Sequence, residues 1–256
     1  LRSIVHAHCT ALEHSAATVA ALRQIDGCVL FGTSRSPAPM TTFPPPALRP
    51  LPVERLSPHD TALLVVDMER DFVDAGAVQE TPGGRAIVPA INRLIAWARH
   101  HALPVIFTHE MHRPDLSDYG IELEVDPVHC LEGTPGCELT DGLDVQPHDT
   151  RIRGKRRYDS FVGTDLDLLL RGRRIVNLVC CGVTTHCCVM STVYSARNLD
   201  YRVLVPADAV AAVSPAHQAA ALLCMSDVFA YVTDVAAVTA LWSSGGDGLA
   251  SAPPVT

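Results

Sequence analysis

The stretch from Ile175 to Leu204, IVNLVCCGVTTHCCVMSTVYSARNLDYRVL, most constrains what this chain can fold into. An apolar, β-branched run reaches Cys181, Gly182 breaks it, and apolar residues at helical spacing then run from near Thr185 to Leu199. The pattern predicts strand, tight turn, helix and strand. In an open α/β sheet such a turn lies at the carboxyl end of a strand, where ligands bind, and the first turn of the helix offers unpaired N–H groups and a positive dipole end. A thiol placed there is expected to be acidified and therefore nucleophilic. Cys187 and Cys188 both qualify, and spacing alone does not choose between them.

The same alternation runs through the middle of the chain. TALLVVD is a continuous apolar run ending at Asp67, the pattern of a strand buried on both faces. Arg85 to His101 places Ile87, Ile91, Leu94, Ile95 and Ala98 on one helical face, and LPVIFTHE, Leu103 to Glu110, follows as the next buried strand. This βαβ unit implies a parallel sheet. Met111 to Asp149 is irregular, and so long a loop in a compact domain is expected to be a lid or pocket wall. Beyond it lie a short strand ending at Lys155, a helix over Thr164 to Arg171 with Thr164 as N-cap, a helix from Ser214 to Asp227, a strand over Phe229 to Thr233 and a closing helix from Val235 to Trp242. The order predicts a three-layer αβα sandwich, Rossmann-like, around a mainly parallel sheet.

That domain spans residues 59–243. Residues 1–58 differ in character: AATVAALRQ could form a short helix, and the prolines between Ser34 and Pro58 predict an extended arm. The chain opens on Leu1 and Met40 precedes the proline stretch, which suggests Met40 as the native start and residues 1–39 as an upstream extension. Residues 244–256 read as a flexible tail.

Composition removes several classes of function. A formal charge of −8 without any basic run argues against nucleic acid. No apolar segment approaches the roughly 20 residues that span a bilayer, and the start lacks the basic, apolar, small-residue order of a secretory leader. A soluble, cytoplasmic protein is expected. Nine cysteines is an odd number, and Cys180, Cys181, Cys187, Cys188 and Cys224 fall in apolar strand or helix contexts, so reduced and mostly buried thiols are expected rather than disulfides. Paired CxxC motifs of a zinc finger are absent.

Asp67 and Lys155 end strand candidates, and Cys188 lies just past a third. In a parallel sheet those ends share one edge. The set suits nucleophilic catalysis: a carboxylate takes the thiol proton, an ammonium steadies the thiolate, and backbone N–H groups at the helix start hold an oxyanion, worth about 3 kcal/mol per donor.

Three segments then resemble the signature blocks of the isochorismatase-like cysteine hydrolases, in order and at similar spacing: LLVVDMERDFV, GKRRYDSFVGTDLDLLLR and CGVTTHCCVMSTVYSARNLDYRV. The resemblance runs from about Thr61 to Leu241. It implies Asp67 as catalytic acid, Lys155 as catalytic lysine with Phe161 in the pocket, and Cys188 as nucleophile, leaving Cys187 as a neighbouring core thiol. It also implies a cis peptide between Val183 and Thr184, with the backbone N–H groups of Thr184 and Cys188 as oxyanion hole.

The family includes nicotinamidases, N-carbamoyl amide hydrolases, ureidoacrylate and biuret hydrolases, streptothricin lactam hydrolases, and isochorismatases that cleave a vinyl ether. Presence of the complete set favours hydrolysis of a C–N bond in a small amide, urea or lactam. Glu110, His112 and His129 sit where nicotinamidases carry zinc ligands, but with Glu in place of Asp, and HRPDLSD resembles the metal-free amidases; no cofactor is the expectation, with zinc on those three residues as the alternative. Phe72, His112, Arg113, Asp115 and Tyr158 are further candidates for shaping the pocket. Apolar outer helix faces, such as that from Ser214, suggest a homo-oligomer, a dimer or tetramer. A scaffold that retains the fold only for binding or assembly is the non-enzyme alternative, against which the intact triad argues.

Overall fold

A computed structural model describes residues 49–243. The expected helix around AATVAALRQ, most of the proline-rich stretch, the Met40 start and the tail lie outside the described residues. Seven strands form one sheet: β1 (Thr61–Val66), β2 (Val105–Glu110), β3 (Thr150–Lys155), β4 (Asn177–Val183), β5 (Arg202–Pro206), the two-residue β6 (Val210–Ala211) and β7 (Tyr231–Thr233). Their order is β3-β2-β1-β4-β5-β7, with β6 also on β4, and every pairing is parallel.

β1 and β4 occupy the centre because they are buried along their whole length and carry apolar side chains on both faces. Leu63 and Val65 of β1 with Val179, Cys181 and Val183 of β4 point into one core. Ala62, Leu64 and Val66 with Leu178 and Cys180 point into the other. The first core is closed by helix α2 (Val88–His100), through Ile91, Leu94, Ile95 and Ala98, and by α6 (Val235–Thr239), through Val235 and Val238. On the opposite face lie α3 (Leu166–Gly172), α4 (Met190–Asn198) and α5 (Pro215–Cys224), which contribute Leu166, Leu170, Val193, Ala196 and Ala221. A single turn, α1 (Arg70–Val73), follows β1. This is the three-layer arrangement expected. The chain leaves β1 toward β2 on one side and β4 toward β5 on the other, so strand order reverses between β1 and β4, where an open sheet leaves a crevice at its carboxyl edge.

Several local expectations change. Gly182 does not end its strand but lies inside β4, at φ 114°, where a Cβ would stand 2.0 Å from the Val66 carbonyl oxygen. Only a residue without a side chain lets β1 and β4 approach so closely. The stretch after the glycine begins with a π-helical turn, Thr185–Val189, before α4. Thr164 lies one residue outside the cap position of α3, although its hydroxyl accepts from the Leu166 N–H at 3.2 Å. The extended arm ends earlier than residue 58: Val53–Arg55 and Pro58–Asp60 are turns of 3-10 helix, and Leu56 is buried. Cys224 is exposed rather than buried, and all seven cysteines among the described residues are free thiols. No helix among the described residues is long and apolar enough to cross a membrane.

Gly182→Ala is expected to cost about 3 kcal/mol or more, the sum of overpacking and a left-handed backbone that disfavours a Cβ. Thermal denaturation checks this; an unchanged Tm would contradict the close approach of the two central strands.

Candidate active site

The carboxyl ends of β1, β2 and β3 and the turn after β4 deliver the chemistry. Asp67 follows β1 with φ 47°, a left-handed backbone costing roughly 1–2 kcal/mol for a residue with a Cβ. Thr108 of β2 holds it: its hydroxyl accepts from the Asp67 N–H at 3.2 Å and donates to Asp67 Oδ1 at 2.6 Å. An irregularity in the β2–β3 pairing at His109 and Glu110 sets Glu110 directly beside Lys155. Cys188 arrives from the π-helical turn, and the Val183–Thr184 peptide is cis, as the resemblance implied.

These side chains meet in a dry cluster. Lys155 Nζ lies 2.6 Å from Asp67 Oδ2, 2.9 Å from Glu110 Oε2 and 3.8 Å from Cys188 Sγ. The Cys188 thiol in turn lies 3.7 Å from Glu110 Oε2. Asp67, Glu110 and Lys155 have no more than 1% of their surface exposed, so protein groups, chiefly one another, take the place of water around them. Burial alone would lower the Lys155 pKa, but the carboxylates of Asp67 and Glu110 hold it well above the usual lysine range. Burial likewise works against ionised Glu110, yet Lys155, His112 and His129 hold it well below the usual carboxylate range. Asp67 goes the other way, its carboxyl pushed up by burial more than Lys155 pulls it down. Glu69, missed in the sequence, sits behind the cluster, accepts from the Glu110 N–H at 2.5 Å, and is raised well above the ordinary range by burial and by Asp67.

The expectation of an acidified thiol is overturned. Its hydrogen bond with Cys187, burial and the two carboxylates push the Cys188 thiol well above its usual value, and Lys155 offsets them only in part. The ammonium stands closer to both carboxylates than to sulfur, so its charge is already spent. The resting pair is a neutral thiol beside carboxylates, of which Asp67 is the more basic.

A second cluster adjoins the first. Glu110 uses its other oxygen, Oε1, to face His112 Nε2 at 3.4 Å and His129 Nε2 at 3.8 Å, and His129 Nε2 also lies 3.8 Å from Glu122 Oε1. One ligand atom from each of the four can be chosen within 4.8 Å of the others. Bonds of about 2.0–2.2 Å to one tetrahedral ion would put such atoms roughly 3.3–3.6 Å apart. Glu110 Oε1, both nitrogens of His112 and both oxygens of Glu122 are buried without a hydrogen-bond partner. The His129 Nδ1 pairs with the Pro127 carbonyl at 2.8 Å, which leaves Nε2 turned inward. The donor set and its unmet valences fit a divalent cation such as zinc. Glu122, absent from the sequence-derived set, belongs to it.

Beside both clusters opens a cavity of about 390 Å³, lined by Thr184, Cys187 and Cys188 and by Glu122, Asp126 and His129. Phe72 and Tyr158 line it as expected. His112 is buried behind the wall, its ring stacked 3.8 Å from that of Tyr119. Arg113 and Asp115 are exposed and Phe161 packs against Tyr201, so none of these three lines the cavity. Cys187 is half-buried: it packs against the second core, as expected of a neighbouring thiol, and also lines the cavity. His186, also unanticipated, adds to the mouth.

Residues 61–237 match the isochorismatase domain family. The chain belongs to that family. Its relatives include an Arabidopsis thaliana protein described as a probable inactive nicotinamidase, 37% identical over 180 residues that cover 66% of this chain and 90% of the relative. The ureidoacrylate amidohydrolase of Pseudomonas syringae pv. syringae is 31% identical, covering 73% of this chain and 85% of its own. Among solved isochorismatase-family folds, the pyrazinamidase of Pyrococcus horikoshii in complex with zinc superposes with a TM-score of 0.63 at 30% identity, covering 68% of this chain and 99% of that one.

Removing Lys155 leaves two buried carboxylates face to face, and breaking such an arrangement costs ~3–5 kcal/mol. Without the ammonium both carboxyls have folded pKa values above their unfolded ones, so stability is present at low pH and lost as pH rises through the raised values. Lys155→Met should therefore lower Tm far more near pH 8 than near pH 5, and thermal scans at both values check the difference.

Proposed function

We propose that this protein is a cysteine-dependent hydrolase of a C–N bond other than a peptide bond, in a small amide, urea or lactam. The observation that carries the reading is the thiol of Cys188 on the cavity wall, within contact of Lys155 and Glu110 and with Asp67 in the same cluster. Asp67 takes the proton of the thiol as sulfur attacks the carbonyl carbon, and the oxyanion is held by the backbone N–H groups of Thr184 and Cys188. Collapse breaks the C–N bond, with the proton passing from Asp67 to the leaving nitrogen. Water then gives a proton to Asp67 and attacks the thioester, which frees the carboxylic product and returns the thiol. Lys155 keeps the cluster's charge balanced throughout.

Relatives in the family act on ureidoacrylate, and the cavity suits substrates of that size. A lactam of the streptothricin kind falls in the same reaction class. Isochorismatase-type cleavage of a vinyl ether would leave Cys188 without a task, and a binding scaffold would leave the whole buried cluster without one. A zinc-dependent nicotinamidase is the second reading, favoured by the unmet valences of Glu110, His112, Glu122 and His129. These four would hold the ion, and a bound divalent cation supplies Lewis-acid polarisation to a ligand heteroatom in the cavity.

A panel of amides, ureas and lactams, assayed for ammonia or amine release, tests the reaction. Cys188→Ala should abolish turnover, by about 10³-fold or more, whereas Cys187→Ala should retain it. Near-wild-type turnover by Cys188→Ala would remove the mechanism. Because Asp67 must be ionised and its pKa is raised, kcat/KM should rise with pH through a value above 3.8. Equilibrium dialysis against zinc is expected to load about one ion per wild-type chain and markedly less in a His112→Ala, His129→Ala double variant, since two of four ligands are lost.

A further inference from the structure

Carboxylates dominate the charged groups on the walls of the cavity. Glu80, Glu110, Glu122 and Asp126 line it, and among the described residues no lysine or arginine does; its basic members are His129 and His186. Lys155 lies behind the wall with its charge spent on Asp67 and Glu110. Arg157 approaches Glu122 from outside the cavity at 3.8 Å, while the same nitrogen donates to the Asp118 and Arg156 carbonyls. Glu122 is 5% exposed and neither of its oxygens accepts a hydrogen bond. Asp126 is half-buried and forms no ion pair among the described residues. His129 and Arg157 stand no nearer to Glu122 than 3.8 Å, so this buried carboxylate is only partly compensated, and a ligand that brings a closer cation relieves it.

We propose that the substrate of this site is an amide bearing a positive charge, a protonated amine or amidinium, separated from the scissile carbonyl by a short spacer. This rests on the amidohydrolase reading above. The carbonyl meets Cys188, and the cationic end reaches toward Glu122, Asp126 and Glu80. Carboxylate-bearing amides would meet like charge with no arginine to receive them. A divalent ion in the inner cluster does not alter the sign: its two charges at most offset Glu110 and Glu122, and Glu80 and Asp126 remain.

Three amides of matched length test this: δ-aminovaleramide, hexanamide and glutaramate, which carry a cation, no charge and an anion beyond the same scissile group. The expected order of kcat/KM is cation above neutral above anion, with at least about tenfold between the extremes. Raising salt should narrow the gap, and Asp126→Asn should shrink the cation-to-anion ratio about tenfold. The order should persist in chelator-treated and zinc-loaded protein. Calorimetric binding of the same amides to Cys188→Ser protein separates the two claims. Turnover or binding that favours glutaramate, or an unchanged ratio in Asp126→Asn, overturns the charge assignment and leaves the hydrolase intact. Cation-selective binding without Cys188-dependent release of ammonia by wild type overturns the hydrolase and leaves the charge assignment standing.

Discussion

Everything in the site depends on one ammonium shared between two carboxylates. Lys155 is buried at the end of an edge strand, and it can be buried only because Asp67 from β1 and Glu110 from β2 reach it at 2.6 and 2.9 Å. Neither carboxylate would be stable there without it. The parallel sheet makes the meeting possible, since β1, β2 and β3 all end on one edge. Thr108 aims Asp67, the irregularity at His109 and Glu110 aims Glu110, and Gly182 lets β4 close on β1 so that Cys188 completes the group.

The arrangement decides what kind of nucleophile the thiol can be. A helix start beside a lysine suggests a thiolate at rest, yet the nearer carboxylates claim the lysine and the thiol keeps its proton. Sulfur becomes nucleophilic when a base accepts that proton, and the raised Asp67 carboxyl is suited to do so. Glu110 is held ionised by Lys155 and the two histidines, which makes it a poor base and a good link between the thiol cluster and the histidine cluster.

Much of this was legible in the chain. Continuous apolar runs before Asp67 and Cys181 located the central strands, because a strand buried on both faces has no other way to be written. Asp67, Lys155 and Cys188 followed from strand ends and from the family blocks. Glu110 ends a strand by the same logic, but its contact with Lys155 depends on a register irregularity between β2 and β3 that the sequence does not display. Glu122 and Asp126 lie in an aperiodic loop whose return to the cavity depends on tertiary contacts, among them the Tyr119 hydroxyl on the His129 carbonyl. Arg113 is a pocket candidate by its place in the long loop and Phe161 by the family block, and the fold turns one outward and the other onto Tyr201. The acidified thiol failed because a local helix argument could not count carboxylates brought by other strands.

The state of the thiol is the most direct measure of this account, and the absorbance of thiolate near 240 nm reports it. Wild type and Cys188→Ser, compared near pH 7, should show the same absorbance, because Lys155 is held by its carboxylates and the sulfur is protonated. An excess in wild type equal to one thiolate would contradict the account, since it would mean that the ammonium serves sulfur first.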